Sequence, residues 1–334
     1  MKTVSSKRKA LLSFLAGVAF VGLPAVASAQ DAAASYPNKP IRLIVPFAPG
    51  GAADAMGRLV AEHLQSKWGQ PVVIDNKPGA GSALGVGLLA KAPNDGYTIG
   101  MGNIAANAIN PALQPALTNY QPVTDFSAVT MLGVTPLVLV VNAEKVPAKT
   151  LPEFIAFLKA NPGKLAYGSS GSGTSLHIAM ELFLQKTGTK MLHVPYKGSA
   201  PMMTDLLGGQ VVVAIDAATT SWPQVQAGKL RALAVAGSEK AFFAPDLPLL
   251  SDQVAGFDMK PWHGLLAPAG TPPAIVNKIS QEVRAFLRTP EAQAKFQDKG
   301  IVRAGSSPQE FQSFMAKELE MYKKIIADAG IKPE

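Results

Sequence analysis

The chain has 334 residues, of which 48% are apolar and 16% charged, and it has no cysteine, which excludes disulfides, thiolate metal sites and cysteine nucleophiles together. Its formal net charge is +8, but Lys2, Lys7, Arg8 and Lys9 supply four of those charges at the N-terminus, leaving +4 for the remainder. There is no basic stripe and no basic run interleaved with aromatics, so nucleic-acid binding is excluded as the main function.

The basic head is followed by the apolar stretch "ALLSFLAGVAFVGLPAVA" and by Ala27-Ser28-Ala29. This is the pattern of a secretory signal peptide cleaved after Ala29. Gly17, Gly22 and Pro24 interrupt the run, which falls short of the ~20 apolar residues a membrane span needs. The mature chain is therefore expected to start at Gln30 and to work in the periplasm. Its length suits two domains.

"IRLIVPF" (41–47) reads as a strand buried on both faces of a parallel sheet. Pro49-Gly50-Gly51-Ala52-Ala53-Asp54 leads from it into a helix with Met56, Leu59, Val60 and Leu64 on one face. "PVVIDNK" is a second strand, "GAGSALGVGLLAKA" a glycine-led helix and "YTIGMGN" a third strand. The alternation restarts with the strand "PLVLVVN" and a helix opened by the capping box Thr150-x-x-Glu153. "KLAYGSS", the loop "GSSGSGTS" and the helix "LHIAMELFLQKTG" follow. Then come the strand "KMLHVPYKG", the helix "APMMTDLLGGQ", the strand "VVVAIDA", a short helix to Gly228 and the strand "LRALAVAG". Past about residue 270 only helices are expected. Thr271-Pro272 would cap one with Ile275, Ile279, Val283 and Leu287 inward, and Ser307-x-x-Glu310 would open another with Phe311, Met315, Leu319, Tyr322 and Ile326 inward. This is an α/β chain with parallel pairing, pattern breaks near Val134 and Lys260, and a helical tail.

Several chemistries fail on spacing. Gly50-Gly51 and Gly79-Ala-Gly81 miss the dinucleotide fingerprint, and no P-loop exists. The serines of "GSSGSGTS" precede His177, His193 and Asp216, but the G-x-S-x-G elbow is absent, so an exported serine hydrolase is kept only as an alternative. His63, His177, His193 and His263 are far apart, with no metal-binding spacing. His177, in the first turn after the Ser/Gly loop, either bonds locally or lines a cleft, and it is retained as a candidate. Two loops remain, Pro49–Asp54 and Ser169–Ser175, each between a strand and a helix start. Free N–H groups and the positive end of the helix dipole face such loops, which suits a carboxylate. The plainer reading is tight turns made by glycine. Two such loops in an exported chain favour a cleft that closes on an acid.

The segments "YPNKPIRLIVPFAPGGAAD", "IDNKPGAGSALG", "APNDGYTIGMGN", "YGSSGSGTSLHIAMELF", "HVPYKGSAPMMTDLLGGQV", "GKLRALAV" and "WHGLLAPAGTPPAIVNKI" occur in this order. With them the chain resembles the Bug-type periplasmic solute-binding proteins of tripartite tricarboxylate transport systems. The resemblance implies a two-lobe α/β periplasmic binding protein of type II, a Venus flytrap with its ligand in the interdomain cleft. Lobe one would comprise 30–134 plus 260–334, and lobe two 135–259. It implies a monomeric receptor rather than an enzyme, without cofactor or metal. The ligand would be a dicarboxylate or aromatic carboxylate, and the partner the membrane subunits of the transporter or, alternatively, a sensor kinase. Carried over by residue, Phe47, Pro49, Gly50, Gly51, Ala52, Ala53 and Asp54 would grip a carboxylate, with Ser169, Ser170 and Thr174 opposite. Asn103 and Tyr196 would line the cleft, and Asp216 matches a family acidic position, though after Ile215 instead of phenylalanine. Ala52-Ala53 replaces a hydroxyl residue common in relatives, which hints at a ligand with an apolar body.

Overall fold

The computed structural model describes residues 34–329, so the signal-peptide reading lies outside the described residues. Two mixed sheets organise the chain. The first has six strands in the order β11-β4-β10-β3-β1-β2, and the second five in the order β7-β6-β8-β5-β9. β1 (Ile41–Val45), β2 (Val72–Asn76) and β3 (Thr98–Asn103) pair in parallel. The helix after β1, α1 (Ala52–Trp68), and the one after β2, α2 (Ala83–Ala90), complete the expected alternation. β4 (Phe126–Val134) then ends the first sheet, and β5 (Leu137–Asn142) begins the second.

In the second sheet α4 (Leu151–Ala160) is capped by Thr150, whose hydroxyl accepts the Glu153 N–H at 3.4 Å. (The four-residue α3, Asn110–Leu113, follows a π turn after β3.) Then come β6 (Ala166–Ser169), α5 (Ser175–Thr187), β7 (Leu192–Pro195), α6 (Ser199–Gly208), β8 (Val213–Ala217), α7 (Ala218–Gln226) and β9 (Leu230–Val235). β10 (Trp262–Pro268) returns to the first sheet, followed by α8 (Pro273–Leu287), α9 (Pro290–Asp298), β11 (Val302–Arg303) and α10 (Pro308–Ala329).

Three sequence expectations need correction. The pairing is not wholly parallel: β10 runs antiparallel to β3 and β4, and β5 antiparallel to β8 and β9. A strand that crosses from one sheet to the other enters against the local direction, and helix–strand alternation carries no trace of that. The chain beyond 270 is also not all helix, because β11 pairs antiparallel with β4 at Val302–Val134 and Arg303–Gly133, and just before residue 270 an unexpected strand, β10, fills the gap between β3 and β4. Its burial on both faces makes it a continuous apolar run, which periodicity alone does not separate from a buried helix. Finally, Thr271 does not cap α8. Its hydroxyl donates to the Pro268 carbonyl at 2.7 Å, and Pro272 holds the N-cap position.

The tail helices pack on the first sheet. Phe311 and Phe314 of α10 stand edge-on to Trp262, with ring centroids 5.5 and 5.6 Å away. Gly264 makes room, since a Cβ there would lie 2.3 Å from the Phe311 ring. Burying an aromatic side chain of this kind is worth about 1.5–3 kcal/mol. Ser307 and Glu310 form the expected reciprocal box at the start of α10, with Glu310 N–H on the Ser307 hydroxyl at 3.2 Å and Ser307 N–H on the Glu310 carboxylate at 2.7 Å.

Candidate functional site

The two sheets point the ends of their parallel strands at each other, and between them lies a cavity of ≈ 40 Å³. Helix N-termini converge on it. Gly51, Ala52 and Ala53 at the start of α1 line it from the first half, and Ser175 and Leu176 of α5, Ser199 of α6 and Ala217 before α7 line it from the second. The first N–H groups of a helix have no carbonyl four residues back, and their dipoles add a positive potential. No Lys, Arg, Asp or Glu lines the cavity among the described residues. The remaining walls are apolar (Phe47, Ile104, Ala105, Leu137, Pro261) or neutral and polar (Asn103, Thr135, Ser170, Thr174, His263). Such a lining suits one anionic group held by backbone amides, attached to an apolar body.

The candidate residues divide by position. Phe47, Gly51, Ala52, Ala53, Asn103, Ser170 and Thr174 line the cavity. Pro49, Gly50, Asp54, Ser169, His177, Tyr196 and Asp216 stand behind it or beside it. Asp54 is buried, and both carboxylate oxygens are committed: they accept the Gly50 N–H at 2.9 Å, Arg58 at 2.8 and 3.1 Å, and Asn76 at 3.0 Å. Burial pushes its pKa up, but the bonds from Arg58, Gly50 and Asn76 and the Arg58 charge outweigh that and hold it below the usual carboxylate range. Asn76 also donates to the Phe47 carbonyl at 2.9 Å. Asp54 therefore acts as the brace of the glycine loop, and the loop presents backbone to the cavity.

The Ser/Gly loop of the second half is braced in a comparable way. His177 Nδ1 accepts the Gly173 N–H at 3.1 Å, and its ring stacks on His193 at 4.1 Å, which stacks in turn on Tyr167 at 4.8 Å. Ser169 Oγ meets His193 Nε2 at 2.7 Å and also accepts the Gly171 N–H at 3.1 Å. Ser169 is fully buried, so this Ser–His contact lies below the cavity and holds the loop. Ser170, which does line the cavity, donates to Thr174 at 3.1 Å, and Thr174 donates to the Gly171 carbonyl at 2.7 Å. Tyr196 turns away and donates to Asp205 at 2.7 Å.

Asp216 is fully buried beneath Ser199 and Ala217. The Thr220 hydroxyl donates to it, and the nearby Ser199 hydroxyl also favours the ionised form, yet burial dominates and pushes its pKa up to about 6. An acid whose folded pKa is raised binds protons better folded than unfolded. Its ionised form therefore costs stability above about pH 6, and that cost fades as pH falls toward the unfolded value near 4. Asp216→Asn is expected to raise unfolding free energy near pH 7 by up to about 3 kcal/mol and by almost nothing near pH 4. Urea unfolding at the two pH values checks this, and a gain that does not depend on pH would refute it.

Thr135 and His263 are cavity residues that sequence reasoning missed. Thr135 sits where β4 hands over to β5, its N–H on the Pro261 carbonyl at 2.9 Å. His263 lies opposite Asn103 in the β10–β3 register. A signal existed for each. A lone histidine interrupts the apolar run "PWHGLLAP", and Thr135-Pro136 marks the pattern break itself.

Comparison with known proteins agrees with this architecture. The sequence profile of the tripartite tricarboxylate transporter family receptor matches residues 56–331. Protein BugT of Bordetella pertussis is 34% identical over 317 residues, covering 94% of this chain and 95% of that protein. A solved structure of a periplasmic transporter superposes with a TM-score of 0.85 at 42% identity, covering 89% of this chain and 99% of that one. R. palustris Rpa4515, solved with adipate, gives 0.86 at 35% identity, covering 90% and 100%.

Proposed function

We propose, since this chain belongs to the tripartite tricarboxylate transporter receptor family, that it captures a small carboxylic acid between its lobes in the periplasm and hands it unchanged to a membrane transporter. The observation that carries the reading is the convergence of helix N-termini on a cavity whose described lining has no cation. An ionised carboxylate there gains charge-assisted bonds from the amides of Ala52 and Ala53 on one side and from Ser175, Leu176 and Ser170 on the other. Because the two sets belong to different lobes, the same contacts that bind the acid hold the lobes together.

The sheet membership supports lobe one as 30–134 plus 260–334 and lobe two as 135–259, joined at Thr135 and Pro261. The receptor is read as a monomer with its leader removed after Ala29, and as a carrier without catalysis. Ser169, the serine in contact with a histidine, is fully buried and already accepts a backbone N–H, which supports that view. Among the described residues no helix is long and apolar enough to cross a membrane.

A ligand that binds only the folded protein raises its stability by about 2.7 kcal/mol at a hundred times Kd. A panel of mono-, di- and aromatic carboxylates is therefore expected to contain acids that raise Tm by several degrees, with the bound acid recovered unaltered by native mass spectrometry. No shift across the panel, with no acid retained, would reject the proposal.

A further inference from the structure

The cavity has a second polar wall that the carboxylate grip leaves unused. Asn103 and Thr135 are each 1% exposed and His263 8%, and all three line the cavity. Asn103 Nδ2, Thr135 Oγ1 and His263 Nδ1 are buried and have no hydrogen-bond partner. Buried polar atoms are almost always satisfied, and three orphans on one wall point to a ligand that satisfies them.

Sheet order places this wall. β3 lies next to β1, and β10 next to β3, with His263 opposite Asn103. His263 is thus two strand spacings, roughly 10 Å, from the strand that feeds the glycine loop. Thr135 lies beyond it on the crossing segment, beside Pro261. The carboxylate end sits at the loops, the apolar middle against Ile104 and Leu137, and the far end at the hinge.

Charge decides what the far end can be. The nearest helix start on that side, α7, has its first N–H engaged, since the Ala218 N–H bonds the Pro136 carbonyl at 3.0 Å, and the Asp216 carboxylate lies just ahead of it and opposes a second anion. A second ligand carboxylate would be buried near Asp216 with no cation in the lining, and burying an uncompensated charge costs several kcal/mol. Burial holds the His263 imidazole down, to about 4, so it remains neutral. We propose that Asn103, Thr135 and His263 form a hinge-side subsite for an uncharged oxygen, hydroxyl or carbonyl, making the preferred ligand a hydroxy or oxo monocarboxylic acid with an apolar body. This rests on the carboxylate-receptor reading and narrows its ligand class.

The test is titration calorimetry on the mature chain with matched trios. Each contains a plain acid, its terminal hydroxy or oxo acid and the corresponding diacid, taken from straight chains of four to eight carbons and from benzoate, 4-hydroxybenzoate and terephthalate. The oxygenated monoacid is expected to bind roughly 10- to 100-fold tighter than the plain acid in the best-fitting trio. That ratio is expected to collapse toward one in Thr135→Val and in His263→Phe, and Thr135→Val, nearly the same shape, carries the test should His263→Phe fail to fold. Tightest binding by the diacid, equal binding by plain and oxygenated acids, or a ratio that survives both substitutions would each overturn the subsite while leaving the receptor reading intact. Failure of every acid to bind would remove both.

Discussion

Gly81→Ala is expected to weaken carboxylate binding roughly a hundredfold or more without touching the ligand. Gly79, Ala80, Gly81 and Ser82 all have positive φ, forming a left-handed turn that carries the first lobe against the second. A Cβ at Gly81 would lie 2.4 Å from the Ser172 carbonyl oxygen, which belongs to the opposite lobe. Backbone cannot step aside as a side chain end can. The same Cβ would also lie 2.8 Å from Asn110 Nδ2 in its own half of the chain, where a side-chain end can shift. The contact with Ser172 exists only when the lobes meet, so that part of the clash acts on the closed state, and a bias of about 3 kcal/mol there appears directly as lost affinity. Gly173→Ala should act in the same direction, because its Cβ would fall 1.9 Å from Asn110 Oδ1 across the same contact. Gly69→Ala is the control: it also has positive φ, at 67°, but nothing lies within 4 Å of its Cβ. It should lower stability by roughly 1 kcal/mol and leave affinity alone. Calorimetry gives the affinities, and small-angle scattering shows whether excess acid still compacts the variant. Affinity within a few-fold of wild type for both Gly81→Ala and Gly173→Ala would mean that this contact plays no part in closure.

Ala52→Leu and Ala53→Leu are expected to abolish binding of every acid that stabilises the unmodified chain. Both alanines are buried at the first turn of α1 and line the cavity, so the three further carbon atoms of a leucine would enter the space beside the helix start that the carboxylate takes. Overpacking a closed core costs about 1–3 kcal/mol, but here opening of the lobes relieves it, so the ligand-free Tm should fall by only a few degrees. The readout is the absence of a ligand-induced Tm shift with circular dichroism unchanged. Wild-type affinity in both variants would show that the grip lies elsewhere.

Much of this molecule is legible in its residues. The β1–loop–α1 and β6–loop–α5 units follow from apolar runs, glycines and caps, because these are local preferences. Their role as facing loops follows from their similarity in position. Asp54 was readable as part of the loop, but its direction was not: whether an acid near a glycine turn faces a ligand or braces the turn depends on Arg58 and Asn76, and Asn76 arrives from another strand. His177 and His193 read as separate residues and become one stack with Tyr167 only when β6, α5 and β7 are side by side.

The sequence by itself determined the α/β character, the two strand–loop–helix units and the family to which they belong, since each rests on short-range patterning and on the order of motifs. Only the tertiary structure decided that β10 enters the first sheet as an antiparallel strand between β3 and β4 and that the glycine turn at Gly81 meets Ser172. It alone places Thr135 and His263 beside Asn103 in the cavity. Those facts arise from strands that cross between sheets, and crossing reverses direction and joins residues far apart in the chain, such as Gly81 with Ser172 and Asn103 with His263, a relation that no local pattern records.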